Sequence, residues 1–246
     1  MNAQIKSLYH STTASFMSEG RYAWHFARGK LRHDPVFFAL LKLGLLPGQG
    51  QLLDLGCGQG ILMALLLAAR KQFAIGQWPE GWPPPPLQLA MRGIELRDDC
   101  VRAAQGALKS DATVERGDIQ SIAFAPCSAI VLLDVLHYLS DSAQLQLLER
   151  IAASLEPGGV LLLRESDANA GVSFHVTQWA ERAAGITRGL LWHKMHYRST
   201  DQWIRLLELY GFAVTAHPMS EGTPFSNMLL VAQRSKNNVT GLVPGN

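Results

Sequence analysis

Residues 52–60 read LLDLGCGQG (Leu52 to Gly60) and run straight into ILMALLLAAR. A short apolar run, a cluster of glycines and then a helical apolar pattern describe a strand, a tight loop and a helix. This is the layout of a nucleotide-binding turn. The first turn of a helix offers unpaired backbone N–H groups, and glycines let the main chain approach a ligand closely. Gly56, Gly58 and Gly60 are spaced G-x-G-x-G. A dinucleotide turn is spaced G-x-G-x-x-G, and a phosphate loop ends in Gly-Lys-Ser/Thr; neither is present. Asp54 stands at the end of the apolar strand. A carboxylate there repels a pyrophosphate and suits a ligand with a positive group and no phosphate. S-adenosylmethionine, with its ammonium, sulfonium, ribose and adenine, is such a ligand.

The neighbouring runs extend the same reading. The short apolar segments 51–55, 90–96, 112–118, 128–135 and 159–165 predict buried strands, and 59–71, 98–109 and 141–155 predict helices. Such alternation predicts a parallel sheet with helices on both faces, and the expected order is five βα units. Ser140 or Asp141 is expected to cap the helix at 141, and the sequence EPGG to end it. TDQWIRLLELYG predicts a last helix capped by Thr200 or Asp201, with Gly211 as its stop. Residues 212–219 and 227–234 follow with no helix between them and predict an antiparallel hairpin.

In open α/β sheets ligands bind beyond the carboxyl ends of the strands, so the residues at those ends are the candidates. Glu95, at the end of the second strand, can accept both ribose hydroxyls, with Leu96 beside it. It lies 35 residues after Gly60, because the low-complexity stretch QWPEGWPPPPLQ (77–88) intervenes. Consecutive prolines lack backbone donors and favour an extended surface excursion. At the third strand's end Asp118 can accept the adenine amino group while Ile119 packs on the ring. Asp134 and His137 end the fourth strand, and Glu165 ends the fifth.

The combination of LDLGCGQG, GIEL, ERGDI, LLDVLHYL, LEPGGVLLL and the terminal ELYGFAV…NMLLVAQR resembles the class I S-adenosylmethionine-dependent methyltransferases over residues 45–235. The resemblance implies an α/β fold: a seven-stranded, mostly parallel, Rossmann-like sheet with the last strand antiparallel and helices on both faces. It implies that Asp54, Gly56, Gly58 and Gly60 hold the methionine end, with Cys57 a small loop residue, Glu95 the ribose, and Asp118 and Ile119 the adenine. In such enzymes an N-terminal helix often closes over the cofactor, which makes Arg28 and Lys30 candidates to reach its carboxylate. The segment FARGKLRHDPVF resembles methyltransferases of bacterial polyketide and aryl-polyene pathways, which would allow an acyl-carrier or pathway partner.

Methyl transfer is an in-line displacement that needs alignment, exclusion of water and often removal of a proton. His137 is the leading candidate base, since imidazole titrates near neutral pH. Glu165 is the alternative base or substrate anchor. The segment 166–198 is long for a βα connection and holds His175, Trp179, Trp192, His193, His196 and Tyr197, so it is expected to be a lid, together with helices in residues 1–46. His10, His193 and His196 are candidate substrate contacts from these segments. His193 and His196 lack a third ligand nearby, so no metal site is expected. Residues 47–235 are then the cofactor-binding domain, and 236–246 a tail.

The bulk composition excludes several classes. Lys and Arg total 22 against 20 Asp and Glu, so no nucleic-acid footprint is expected. The first 46 residues are locally basic, with Lys6, Arg21, Arg28, Lys30, Arg32 and Lys42 against Glu19 and Asp34. Cys57, Cys100 and Cys127 form neither a metal spacing nor a disulfide framework. The apolar run 61–69 is far short of the roughly 20 residues of a membrane span, and the first residues lack a signal-peptide core. A cytoplasmic protein is expected. Asp134-Val135-Leu136-His137 lacks the Asn/Asp-Pro-Pro-aromatic run of amino-methylating DNA or RNA enzymes and the Pro-Cys of cytosine C5 enzymes. Arg164-Glu165-Ser166 lacks the Asp-Asn of metal-dependent catechol-type enzymes. The expected activity is metal-independent methyl transfer to oxygen or carbon of a small aromatic or polyketide-type molecule. An RNA or protein methyltransferase and a non-catalytic cofactor-binding protein are the alternatives.

Overall fold

A computed structural model describes residues 2–187 and 194–236. Three helices come first: α1 (Ala3–Ala14), α2 (Arg21–His33) and α3 (Val36–Lys42). The sheet region then runs β1 (Gln49–Leu55), α4 (Ile61–Ala74), β2 (Gln88–Glu95), α5 (Asp98–Leu108), β3 (Thr113–Arg116), β4 (Cys127–Leu133), α6 (Asp141–Ser154) and β5 (Leu155–Ser166). It closes with α7 (Val172–Thr187), α8 (Thr200–Leu209), β6 (Phe212–Pro218) and β7 (Asn227–Arg234). The strand order is β3-β2-β1-β4-β5-β7-β6. Only β7 runs antiparallel to its neighbours, inserted between β5 and β6. The expected seven-stranded Rossmann-like sheet is therefore the fold, and five parallel strands bring their carboxyl ends to one edge.

Alternation along the strands sorts side chains into two cores. Leu52, Val131 and Leu162 pack with α1 to α5 on one face. Leu53, Ile130, Leu132, Leu161 and Leu163 pack with α6 and α8 on the other. The N-terminal helices belong to the first core: Leu8, Phe16, Leu31, Val36 and Leu40 are buried among α4 side chains. Each such burial contributes about 1.5–3 kcal/mol, so α1 to α3 are part of the folded core.

Three local expectations need correction. No helix joins β3 to β4. Residues 117–126 make a short crossover loop, too short for a packed helix and broken by Pro126, and Arg150 of α6 pins it by donating to the carbonyls of Ile119, Gln120 and Ile122. The cap of α8 is Ser199 rather than Thr200 or Asp201, because Ser199 and Gln202 form a reciprocal capping box. The EPGG sequence does not follow α6 as a loop. It lies inside β5, which pairs with β4 from Leu155 through a register shift, so helix turns into strand without an intervening coil. The proline excursion packs on the protein: Trp78 meets Phe73 and Trp82 edge-on, and its indole donates to Pro83 O.

Candidate active site

The glycine loop is tied to the neighbouring strand. Gly56 N and Cys57 N both donate to Ile94 O, at 2.8 and 3.1 Å. Gly56 has φ 74°, and a Cβ there would lie 2.6 Å from Val135 Cγ2, so both backbone and space demand glycine. Gly58 (φ 55°) differs: nothing lies within 4 Å of where its Cβ would be. That side of the loop is open, as a ligand's approach requires. Glu95 spans the loop from β2. Its Oε2 accepts from Gly58 N and its Oε1 from Arg97 N, each at 2.9 Å.

Asp54 is buried beneath this loop and makes no hydrogen bond or ion pair among the described residues. Burial, and then the negative charge of Glu95, push its carboxyl up to about 7. Gln59 is also buried, and its Oε1 has no donor among the described residues. Two carboxylates and an orphaned carbonyl around an open glycine loop fit a ligand that brings a cation and N–H donors, and they disfavour a diphosphate. S-adenosylmethionine therefore fits the residues present. Cys57 is half-buried against Gly93 and donates weakly to Gly58 O at 3.7 Å. Burial first, and then Asp54 and Glu95, raise its thiol well above the ordinary range, so it is inert filler. At the tips of β2 and β3, Leu96 is exposed beside Glu95, Ile119 is buried, and Asp118 Oδ1 accepts from Gln120 N at 2.9 Å to shape its own turn.

The tips of β4 and β5 are built differently. Arg164 and Glu165 are adjacent on β5 and therefore point to opposite faces. Arg164, 1% exposed, clasps Asp134 with two N–H groups and reaches Asp34 at the end of α2 with a third. Lys30 bridges the same two acids, 3.2 Å from Asp34 and 3.7 Å from Asp134. Asp134 adopts φ 61°, a region side-chain-bearing residues rarely enter. Burial opposes its ionisation, but Arg164 and then Lys30 outweigh that and hold it down at about 2. Desolvation likewise works against the charge on Arg164, and Asp134 and Asp34 outweigh it.

On the opposite face His137 and Glu165, 2% and 3% exposed, meet through Nδ1 and Oε2 at 2.7 Å. Glu165 Oε1 also accepts from Val135 N and Leu136 N, at 3.1 and 2.7 Å. The His137 ring lies nearly parallel to Tyr197, with centroids 5.2 Å apart, and Phe174 meets Tyr197 edge-on. His196 N donates to His137 O at 2.8 Å, and Gln144 ties the carbonyls of Leu136 and His196 together. The segment after β5 is thus fastened to the turn after β4.

The expected residues do not all converge. Asp54, Gly56, Gly58, Gly60, Glu95, Lys30, Asp134, His137 and Glu165 cluster at the strand ends, with His196 at the margin, where its ring faces Asp141 at 3.4 Å. Arg28 instead packs into the N-terminal helices, donating to Tyr9 Oη at 3.3 Å and covering Trp24. His10 lies on the exposed side of α1, a helix that packs along α4. His193 lies outside the described residues. Among the described residues no three His, Cys, Asp or Glu gather as a metal-binding group, and no helix is long and apolar enough to cross a membrane. Arg164, Asp34 and Gln59 were not singled out as site residues by their types. The available signal was an arginine inside the apolar run LLLRE, which is tolerable only with buried acidic partners.

Residues 23–217 match the family described as methyltransferase domain. The chain belongs to that family. Its members are S-adenosylmethionine-dependent enzymes, and S-adenosylmethionine is the cofactor of this methyltransferase as well. Curated relatives include carboxy-S-adenosyl-L-methionine synthases. One from Chromohalobacter salexigens is 32% identical over 46% of this chain and 38% of its own. One from Geobacter metallireducens is 34% identical over 47% and 44%. The matched stretch thus spans less than half the length of these relatives. The magnesium protoporphyrin IX methyltransferase of Synechocystis PCC 6803, solved with bound S-adenosylhomocysteine, shares the fold with TM-score 0.57 at 17% identity, over 95% of this chain and all of that one. The human N-acetylserotonin methyltransferase shares it with TM-score 0.57 at 17% identity, over 95% and 59%.

Proposed function

We propose that this methyltransferase moves a methyl group to oxygen or carbon of a small, aromatic or polyketide-type molecule, without a metal ion. The observation that carries this reading is the aromatic wall at the β4 and β5 tips: Tyr138, Phe174 and Tyr197 gathered around His137. Flat rings gain most from such a wall. The solved neighbours named for N-acetylserotonin and magnesium protoporphyrin IX support it.

The bound cofactor supplies an electrophilic methyl on a sulfonium. Asp54 and the orphaned Gln59 carbonyl receive its ammonium end, Glu95 its ribose hydroxyls, and Ile119 with Asp118 its adenine. Lys30 and Asp34 hold the end of α2 against the β4 and β5 tips and keep water from that side of the cleft. Glu165 fixes the imidazole of His137 through Nδ1, and His137 serves as base or substrate contact from beneath Tyr197. Transfer from labelled cofactor to a panel of phenols and β-diketones tests the reading. His137→Ala is expected to lower turnover far more than affinity for S-adenosylhomocysteine. Transfer to RNA or protein alone, or equal losses in both quantities, would overturn it.

A second reading is favoured by the curated relatives: the enzyme removes a proton from the cofactor's own methyl group and adds to it a carboxyl released by a carboxylate co-substrate, making carboxy-S-adenosylmethionine. Mass spectrometry of the cofactor pool after turnover separates the two, since only this reading yields a carboxylated cofactor.

A further inference from the structure

Away from the strand tips, α1 and the short turn after it leave a cavity of about 230 Å³ against α4 and the end of α5. Its floor is small and apolar, formed by Ala64, Ala68, Ala107 and Leu108. Its rim carries Ser11 of α1 and Ser15 at the C-cap of that helix, together with Lys71 and Lys109. Neither ammonium makes an ion pair or hydrogen bond among the described residues, and neither Ser11 nor Ser15 spends its hydroxyl on a protein partner there. Asp111 also lines the rim, a single carboxylate against the two ammonium groups. The rim therefore carries a net positive charge, from two ammonium groups and one carboxylate, beside two unspent hydroxyls.

Lys109 adds an independent oddity. It ends α5 with φ 54° and ψ −126°, a conformation natural to glycine and strained for lysine. A position that favours glycine carries instead a side chain that places an ammonium on the cavity rim.

We propose that this cavity is a second binding site, for a small anion: an oxyanion head, phosphate or carboxylate, on a short apolar body. The lysines and serines take the head and the alanine floor takes the body. Leu108 connects the site to the cofactor loop. It lines the cavity, and its Cδ1 lies 2.9 Å from where a Cβ at Gly60 would be. The occupant therefore presses on the side chain that backs the start of α4.

The test uses the full chain and three probes: phenyl phosphate, inorganic phosphate and phenol, each titrated by calorimetry with and without saturating S-adenosylhomocysteine. Phenyl phosphate is expected to bind with Kd on the order of 1 mM, inorganic phosphate more weakly, and phenol not measurably. Butyrate, titrated the same way, distinguishes carboxylates from phosphates as the preferred head. Saturation with S-adenosylhomocysteine should leave a phenyl phosphate site. The double variant Lys71→Ala, Lys109→Ala should weaken that site at least tenfold while S-adenosylhomocysteine binds within about twofold of the parent. Lys109→Gly should bind phenyl phosphate more weakly yet melt at a higher temperature, since glycine relieves the strained φ. No anion binding by the parent, displacement of phenyl phosphate by S-adenosylhomocysteine, or unchanged affinity in the double variant would each overturn the proposal.

Discussion

Asp54 and Asp134 end adjacent parallel strands, β1 and β4, yet one is pushed up to about 7 and the other held at about 2. Burial acts on both in the same direction. The difference is the company: Asp54 faces Glu95 and no cation, whereas Asp134 sits in the grip of Arg164 with Lys30 near. One tip is electrostatically complete without a ligand and fastens the N-terminal helices to the sheet. The other is incomplete, and its deficit is a positive charge, the kind of group proposed above to come from the ammonium of the cofactor. The charge network that anchors the N-terminal helices thus lies at the β4 and β5 tips, and the uncompensated carboxylates lie at β1 and β2.

The strongest way to break this contrast is Arg164→Met. It leaves Asp134 and Asp34 in place without their buried cation, and the loss should be about 3–5 kcal/mol in chemical denaturation. A loss below 1 kcal/mol would mean the network is ornamental. Asp54→Asn should do the opposite. A shift from 3.8 to about 7 corresponds to at most about 4 kcal/mol of penalty once the carboxyl is ionised. The ligand-free variant should therefore be more stable than the parent at pH 8, while losing S-adenosylhomocysteine binding. A less stable variant at that pH would show that Asp54 has a cationic partner after all.

Glu95→Ala probes the same side with a smaller effect. It should weaken S-adenosylhomocysteine binding by about 1.5–3 kcal/mol, the worth of hydrogen bonds to a charged acceptor, and leave the fold intact. Unchanged affinity would remove Glu95 from the ribose site.

The pH dependence sharpens the comparison further. The folded-state value of Asp54 is raised, so the folded chain binds more protons than the unfolded one between about 4 and about 7. The contribution of Asp54 to ligand-free stability thus falls as pH rises through that window. Asp134 is depressed, so its contribution is present above about 4 and lost as pH falls toward about 2. With the ammonium on Asp54, as proposed, cofactor binding should weaken by up to about tenfold per pH unit below 7. Calorimetry from pH 5 to 8 should show that slope in the parent; a flat profile would assign the ammonium to another partner.

The fold was legible because its signals are local and repeated. Apolar runs of strand length, the glycine loop and the closing hairpin each follow from backbone geometry, and together they admit one sheet. The elements that escaped were those decided by neighbours. Five βα units implied a helix between the third and fourth strands, and Arg150, on a helix elsewhere in the chain, pins that connection as a loop. Ser199 took the cap of α8 because Gln202 could answer it.

At the candidate site, the placing of Asp54, Gly56, Gly58, Gly60 and Glu95 at strand ends was legible from sequence, since those positions follow from the strands themselves. What sequence could not determine is which charges meet. Asp34 and Arg164 are 130 residues apart, and Lys30 looks like any lysine of a basic helix. Pairing across such a separation depends on how α2 packs over the sheet, and that packing is set by the buried faces of Leu8, Phe16 and Leu31 against α4. Sequence alone determined where the carboxylates stand; only the tertiary structure decided which carry a counter-charge, because electrostatic energy depends on distance in space and not along the chain.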